Sequence, residues 1–170
     1  MATSMSIKRS HHGVGVLNNL LYAVGGSDDH KNLKSVECYN PCLDTWTPVA
    51  KMSEYRYGCG IGVMEGVLYA IGGKNNSNCL KSVEAFTPSS GVWTKIADMH
   101  FCRMFFGVVV LDGLLHVIGG MNNEDLHLNS TEIYNPKTNT WSLKTLLKDV
   151  DWVYSGVVVN RPPHFKTYDD

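Results

Sequence analysis

Apolar residues along this chain occur in short runs that are separated by turn residues. In the middle of the chain, Gly58–Met64 is followed by Glu65-Gly66 and by a second apolar run, Val67–Ile71. Two such runs joined by a two-residue turn predict a β-hairpin. An alternating segment, Ser82–Phe86, and a fourth segment, Val92–Ile96, then complete a predicted unit of four strands. No segment shows a helical period of 3.6 residues, so we expect little helix.

The four-strand pattern occurs three times, and its marker residues repeat with a step of 47 or 48. The markers are a glycine pair after the second strand, an aromatic residue in the third strand and a tryptophan in the fourth: Gly25-Gly26, Gly72-Gly73, Gly119-Gly120; Tyr39, Phe86, Tyr134; Trp46, Trp93, Trp141. The strands predicted in the outer two units are Val14–Leu17, Leu20–Val24, Ser35–Tyr39, Thr45–Val49, and Gly107–Leu111, Leu114–Ile118, Ser130–Tyr134, Thr140–Leu143. This period predicts an all-β repeat protein in which each unit is one antiparallel blade of a β-propeller.

Three glutamates, Glu37, Glu84 and Glu132, occupy one position of the repeat. Because they belong to three separate blades, we expect each to hold a neighbouring backbone or side chain rather than to act in acid–base catalysis. No set of histidines and cysteines has metal-ligand spacing, and no glycine-rich loop precedes a helix. We therefore expect no cofactor, no metal and no catalytic residue.

Composition limits the range of partners. The formal net charge is -1, which gives no electrostatic reason to expect a nucleic acid or a membrane surface as partner. No run of apolar residues is long enough for a transmembrane helix, and no secretory signal begins the sequence. The five cysteines show no C-x-x-C pair, which favours reduced thiols and a cytoplasmic or nuclear location.

The motifs Leu21–Gly26, Ser35–Pro41 and Thr45-Trp46, each repeated in register, resemble the Kelch repeat. The Met-Ser pair ahead of the second unit and the turn residues resemble the Kelch-like (BTB-BACK-Kelch) family. The resemblance implies a protein-interaction module, part of the substrate-recognition propeller of an adaptor for a cullin-RING E3 ubiquitin ligase. The alternative it implies is an actin-binding protein associated with the cytoskeleton. An enzyme built on a Kelch propeller is the remotest alternative.

Three units are half of a six-bladed ring, so we expect the C-terminal half of a Kelch propeller. Completion of that ring would need further N-terminal blades or a second copy of this chain. The predicted divisions are the tail of a preceding blade, three Kelch repeats, a closing innermost strand and a polar tail: 1–13, 14–53, 54–100, 101–148, 149–160 and 161–170.

The loops that join strand two to strand three, and one blade to the next, differ most between units. In a meander these loops share one face, where divergent loops on a rigid scaffold are typical of recognition. Kelch-like adaptors are understood to bind substrates there, so we expect a protein substrate or a peptide degron on this loop face. The candidate contact residues are Tyr55, Arg56, Tyr57, Phe101, Arg103, Phe105, Asp28, Asp29, Asn75, Asn76, Asn123, Glu124 and Trp152.

Two groups of these candidates have a second interpretation. Tyr57 and Phe105 stand where strands begin, which is compatible with a core position as well as with a partner contact. Asp28, Asp29 and Glu124 are acidic and could meet a basic peptide, but isolated acidic residues in turns are commonly only solvated.

Overall fold

The computed structural model describes residues 3–145, which form three four-stranded antiparallel sheets, one for each predicted unit. Blade 1 contains β1 (Gly13–Leu17), β2 (Leu20–Val24), β3 (Val36–Asn40) and β4 (Thr45–Val49). Blade 2 contains β5 (Gly60–Met64), β6 (Val67–Ile71), β7 (Val83–Thr87) and β8 (Val92–Lys95). Blade 3 contains β9 (Gly107–Leu111), β10 (Leu114–Ile118), β11 (Ser130–Asn135) and β12 (Thr140–Thr145). No helix occurs within residues 3–145, and the predicted all-β propeller fragment is confirmed.

The predicted strand Gly58–Met64 begins too early, because β5 starts only at Gly60. Gly58 has a φ of 63°, a left-handed conformation that ends the preceding loop and does not fit an extended strand. The other strand boundaries agree with the predictions or differ from them by at most two residues, which is within the usual uncertainty of a predicted boundary.

The innermost strands β1, β5 and β9 bring the three blades together. Glycines in these strands permit the close approach, since a Cβ atom on Gly60 would lie 2.5 Å from Phe106 and from Val108 of blade 3. Gly13 takes the same position in blade 1 and faces Ile61 of blade 2. The blades therefore converge at their first strands, as a radial arrangement around an axis requires.

Two apolar cores fill the spaces between neighbouring blades, one between blades 1 and 2 and one between blades 2 and 3. The tryptophan of each fourth strand also reaches back to the preceding linker. Trp93 Nε1 donates a hydrogen bond of 2.9 Å to the carbonyl oxygen of Ala50, and Trp141 Nε1 donates one of 2.9 Å to that of Ala97. The repeating aromatic residues thus join adjacent blades, as the spacing predicts.

Residues 3–12 pack on blade 1 along the same path that residues 50–59 follow on blade 2. Trp46 Nε1 donates a hydrogen bond of 3.1 Å to the carbonyl oxygen of Thr3, which corresponds to the bond that Trp93 makes one blade later. The segment that precedes a blade is therefore part of that blade's support.

Some predictions concern parts of the molecule that the described residues do not include. The closing strand at 149–160, the tail at 161–170 and Trp152 lie outside residues 3–145. On the side of blade 1 that faces away from blade 2, Val14 and Val16 are 52% and 61% exposed. Completion of the ring against this side, by further blades or by a second copy, stays a prediction.

Candidate functional site on the loop face

The strand register places the divergent loops on one face. Gly13 pairs with Val24, Val24 with Val36, and Val36 with Val49, so the start of β1 and the end of β4 lie at the same end of the sheet. The loop between β2 and β3 and the linker to the next blade leave from this end. We call this end of the three blades the loop face, and the end that carries the tight hairpin turns the hairpin face.

Arg56 was predicted to contact a partner, and the structure corrects this prediction. Its side chain is completely buried in blade 2. The guanidinium group donates from Nη1 to the carbonyl oxygens of Gly72 and Ser82, at 2.8 Å each, and from Nη2 to Glu84 at 3.1 Å. A guanidinium with its donors used in this way is not available to a partner.

Arg103 is corrected for the same reason. It is completely buried in blade 3, where it donates to the carbonyl oxygens of Gly119 and Ser130 and to the carboxylate of Glu132. Arg9 forms the equivalent set of bonds in blade 1. The three ion pairs, with distances from 2.8 to 3.1 Å, are Arg9–Glu37, Arg56–Glu84 and Arg103–Glu132.

The buried glutamates have the structural role that the sequence predicts. Burial would raise the pKa of the Glu37 carboxyl, but hydrogen bonds from Ser6 and Arg9 outweigh it and hold this pKa below its ordinary value. Burial would also raise the pKa of the Glu132 carboxyl, but hydrogen bonds from the backbone amides of His100 and Phe101 outweigh it and lower this pKa. The carboxylates of Glu37 and Glu132 thus stay ionised inside their blades, and each fixes the linker that carries the arginine.

Tyr57 and Phe105 meet near the axis, where the innermost strands begin. Their rings are perpendicular, at 86°, with centroids 5.3 Å apart, and His11 lies 4.9 Å from Tyr57 and 5.6 Å from Phe105. Backbone bonds join the three segments, since Gly58 donates to the carbonyl of His11 and Phe105 donates to that of Gly58. Both predicted residues are half-buried, so they combine a packing role with an accessible ring edge.

A small cavity of about 150 Å³ lies beside this ring cluster, and His12, Cys59 and Phe106 contribute to its wall. Nδ1 of His12 is buried and has no hydrogen-bond partner within residues 3–145. Burial, followed by the charge of Arg9, lowers the pKa of His12, so this imidazole is neutral at neutral pH. The cavity is smaller than typical ligand pockets.

The exposed aromatic residues of the loop face are Tyr55 and Phe101. Tyr55 is 37% exposed and Phe101 is 46% exposed. The ammonium group of Lys34 lies 5.3 Å from the centroid of the Tyr55 ring, within the range of a cation–π interaction. Of the predicted aromatic anchors that lie within residues 3–145, these two have the most exposed side chains.

The predicted polar residues divide into turn supports and exposed groups. Asp28 accepts hydrogen bonds from the backbone of His30 and Lys31, and Asn75 caps the corresponding turn of blade 2 in the same way. Asn123 accepts a bond from the backbone of Cys79 and so ties two blades together.

The other three predicted polar residues remain accessible. Asn76 and Glu124 are exposed, and Asp29 is exposed but forms an ion pair of 2.6 Å with Lys8. These residues stay predictions as partner contacts.

A groove on the loop face of blade 1 was not anticipated from the sequence. It has a volume of about 290 Å³, and Lys31, Lys34 and Lys51 line it together with Tyr55 and Asp28. These residues come from the β2–β3 loop and from the linker to blade 2. The lysines are visible in the sequence, but their proximity depends on the hydrogen bond from the Met52 amide to the Lys34 carbonyl, which no spacing rule indicates.

Within residues 3–145, no three histidine, cysteine, aspartate or glutamate side chains are grouped so that they could hold a metal ion. In the same part of the chain, no helix has the length and apolar character needed to cross a membrane.

Three four-stranded sheets that converge on an axis and collect their irregular loops on one face define a β-propeller repeat protein. The sequence model of the Kelch motif matches residues 8–53, 55–100 and 102–144. The chain therefore belongs to the Kelch repeat family.

Three similar proteins each match less than a third of this chain. Beta-scruin of Limulus polyphemus is 41% identical over 51 residues, which is 29% of this chain and 6% of that protein. Alpha-scruin of the same organism is 44% identical over 55 residues, and Kelch-like protein 36 of Bos taurus is 36% identical over 55 residues. Each of these two matches covers 32% of this chain. They cover 6% of alpha-scruin and 9% of Kelch-like protein 36. The chain thus matches less than a tenth of each relative's length.

The solved structure of YjhT superimposes with a TM-score of 0.74, covering 84% of this chain and 54% of YjhT. The sequence identity in this superposition is 16%, so the likeness concerns the fold.

Proposed function

We propose that this chain recognises a protein partner through its loop face, as part of the substrate-binding propeller of a Kelch-like adaptor for a cullin-RING ubiquitin ligase. The observation that carries the proposal is the contrast between the scaffold and the loops. Each blade repeats its buried arginine–glutamate pair, whereas the exposed residues around it change from blade to blade. Fixed internal bonds under variable surface residues are typical of recognition surfaces.

Tyr55 and Phe101 support this proposal as the accessible aromatic residues of the linkers. Aromatic side chains supply a large part of the binding energy in many interfaces, commonly about 2 kcal/mol or more for a central residue. Both lie in segments whose backbone is held in place, because the backbone amide of Arg56 donates to the Leu33 carbonyl oxygen and that of Arg103 donates to the Leu80 carbonyl oxygen. A preformed position reduces the entropy lost on binding.

The proposal is tested by comparing partners captured by the native chain with those captured by Phe101→Ala and by Leu43→Ala. Leu43 is 69% exposed in the β3–β4 turn of the hairpin face, so its truncation removes an exposed apolar side chain from the opposite end of the molecule. Quantitative mass spectrometry should find partners that Phe101→Ala loses and Leu43→Ala retains. Equal retention by both variants would contradict recognition by the loop face.

The adaptor role has a separate test in cells. Captured partners should accumulate when the gene product that carries this chain is depleted, and their ubiquitylation should fall. The alternative that the family resemblance implies, actin binding, is tested by co-sedimentation with filamentous actin. Two results together would favour actin binding over the adaptor role. The chain would sediment with actin and lose this property in Phe101→Ala, and depletion of the gene product would leave the ubiquitylation of captured partners unchanged.

A further inference from the structure

The lysine groove of blade 1, defined by Lys31, Lys34, Lys51 and Tyr55, combines cationic and apolar character. Lys31 and Lys34 come from the β2–β3 loop, while Lys51 and Tyr55 come from the following linker. The hydrogen bond of 3.0 Å from the Met52 amide to the Lys34 carbonyl holds the two segments side by side. The backbone segments that carry the lining residues are therefore held together by the fold.

The surrounding protein offsets the positive charge of this groove only in part, since Asp28 is the acidic residue of its lining and interacts with the charge of Lys31. None of Lys31, Lys34 and Lys51 forms an ion pair with a carboxylate of residues 3–145. The one acidic residue in the lining, Asp28, directs its Oδ1 atom to the backbone amides of its own turn. The lining thus carries three ammonium groups and one carboxylate, so its net charge is positive. The sequence suggests the opposite, an acidic character for this loop.

Blade 2 provides an internal comparison, because the same backbone bonds form there with different side chains. The Met99 amide donates to the Lys81 carbonyl at 3.0 Å, as Met52 does to Lys34. At the places of Lys31 and Lys51, however, blade 2 carries Asn78 and Asp98, and Glu54 stands where blade 1 has Ile7. The fold therefore does not require lysines at these positions.

We propose that the lysine groove binds an acidic segment of a partner protein, with carboxylates against the three ammonium groups and an apolar or aromatic side chain against Tyr55. This inference rests on the proposed recognition function and assigns the chemistry of the partner. Charge complementarity selects the occupant, since three ammonium groups in one groove attract carboxylates more strongly than a single isolated lysine does. A groove of this size accommodates a few side chains of an extended segment rather than a folded domain.

The test measures fluorescence anisotropy of a short, fluorescein-labelled peptide rich in glutamate and containing one tyrosine, titrated with the full chain. We expect saturable binding that weakens as salt concentration rises. Lys51→Asp, which installs the residue of blade 2, should weaken binding about tenfold or more, because it removes one charged contact and introduces repulsion. The peptide with glutamine in place of glutamate should not bind measurably.

The matched control is Lys137→Asp, which makes the same change of charge at an exposed position on the hairpin face. It should change the affinity by less than about twofold, because a charge beyond a Debye length is screened. Equal weakening by Lys51→Asp and Lys137→Asp, binding of the glutamine peptide, binding only of a phosphorylated peptide, or no binding would overturn the proposal. Thermal melting of both variants checks that they remain folded.

Failure of this inference can be separated from failure of the proposed function. If captured partners depend on Phe101 but not on Lys51, recognition by the loop face stands and the groove assignment is wrong. If partners depend on neither residue while the glutamate peptide still binds at the groove, the adaptor proposal fails and the groove chemistry stands.

Discussion

The guanidinium group of Arg56 meets the carboxylate of Glu84 at 3.1 Å inside blade 2, and both side chains are essentially excluded from solvent. Arg56 belongs to the linker after blade 1, and its backbone amide donates to the Leu33 carbonyl of that blade. The ion pair therefore attaches the linker of one blade to the third strand of the next. The position of the loop face depends on this attachment.

Replacement of Arg56 by alanine should strongly destabilise the chain. The change leaves Glu84 as an unpaired buried charge and also removes the bonds to the Gly72 and Ser82 carbonyls. Removal of one partner of a buried ion pair commonly costs about 3–5 kcal/mol. Urea unfolding followed by tryptophan fluorescence measures this loss in the apparent free energy of unfolding.

The control for this prediction is Lys95→Ala. Lys95 forms an ion pair of 3.1 Å with Glu54, but its side chain is 60% exposed, and exposed pairs contribute only about 0–1 kcal/mol. A similar loss of stability in Lys95→Ala and Arg56→Ala would show that the buried pair is not the attachment described here.

Acid should weaken the fold through Glu132. The folded pKa of this carboxyl is lowered from its ordinary value of 4.5, because hydrogen bonds from His100 and Phe101 and the charge of Arg103 outweigh burial. Below about pH 4.5 the unfolded chain therefore binds more protons than the folded chain, so the free energy of unfolding falls as the pH decreases. Urea unfolding from about pH 6 to about pH 3.5 should show this fall.

Glu132→Gln should be less stable at neutral pH and should show a shallower fall in acid, since one proton-linked group has been removed. Glu124→Gln, at an exposed position of the same blade, should retain the native profile. An unchanged slope in Glu132→Gln would contradict the assignment of acid sensitivity to this carboxylate.

The tryptophans should contribute differently to the stability of the fold, although they occupy the same position of the repeat. Trp141 is 8% exposed and belongs to the core between blades 2 and 3. Trp46 lies on the side of blade 1 that faces away from blade 2, where it packs on Tyr39 at a centroid distance of 5.2 Å. Trp141→Ala should cost about 3–5 kcal/mol of stability, and Trp46→Ala should cost clearly less.

The free energies of unfolding of the two tryptophan variants, measured in parallel, decide this prediction. Unfolding is followed by far-UV circular dichroism, because each variant lacks one of the fluorophores. An equal cost at both positions would mean that Trp46 is as well covered as Trp141, for example by a further blade or a second copy packed on blade 1.

The fold was accessible from the sequence because each blade repeats the same marker residues. The glycine pairs, the third-strand aromatics and the tryptophans all take the positions that a four-stranded meander requires, and the three glutamates are structural as expected. Strand ends were less well predicted, since the turn at Gly58 depends on a left-handed backbone conformation.

The candidate site was only partly predictable, for two different reasons. Arg56 and Arg103 were predicted to contact a partner because they lie in the divergent loops and because arginine is common among the residues that dominate interface binding energy. A signal to the contrary was present, since Arg9, Arg56 and Arg103 recur with the 47-residue step of the scaffold residues. The lysine groove gave no comparable signal, because its residues come from separate segments that only the folded backbone brings together.

Thiol modification should follow the burial of the five cysteines. Cys42 is exposed in the β3–β4 turn, whereas Cys59 and Cys79 are buried. Burial raises the pKa of both buried thiols, with the neighbouring Cys102 thiol adding to the effect at Cys79, so little reactive thiolate forms there. Iodoacetamide labelling followed by peptide mass spectrometry should therefore modify Cys42 first and should reach Cys59 and Cys79 only after urea is added.

Cys42→Ser should abolish the fast phase of labelling without altering the slow one. Modification of native Cys59 at the rate of Cys42 would be incompatible with the packing between blades 1 and 2, because the Sγ atom of Cys59 lies 3.8 Å from the Val24 carbonyl oxygen at that junction.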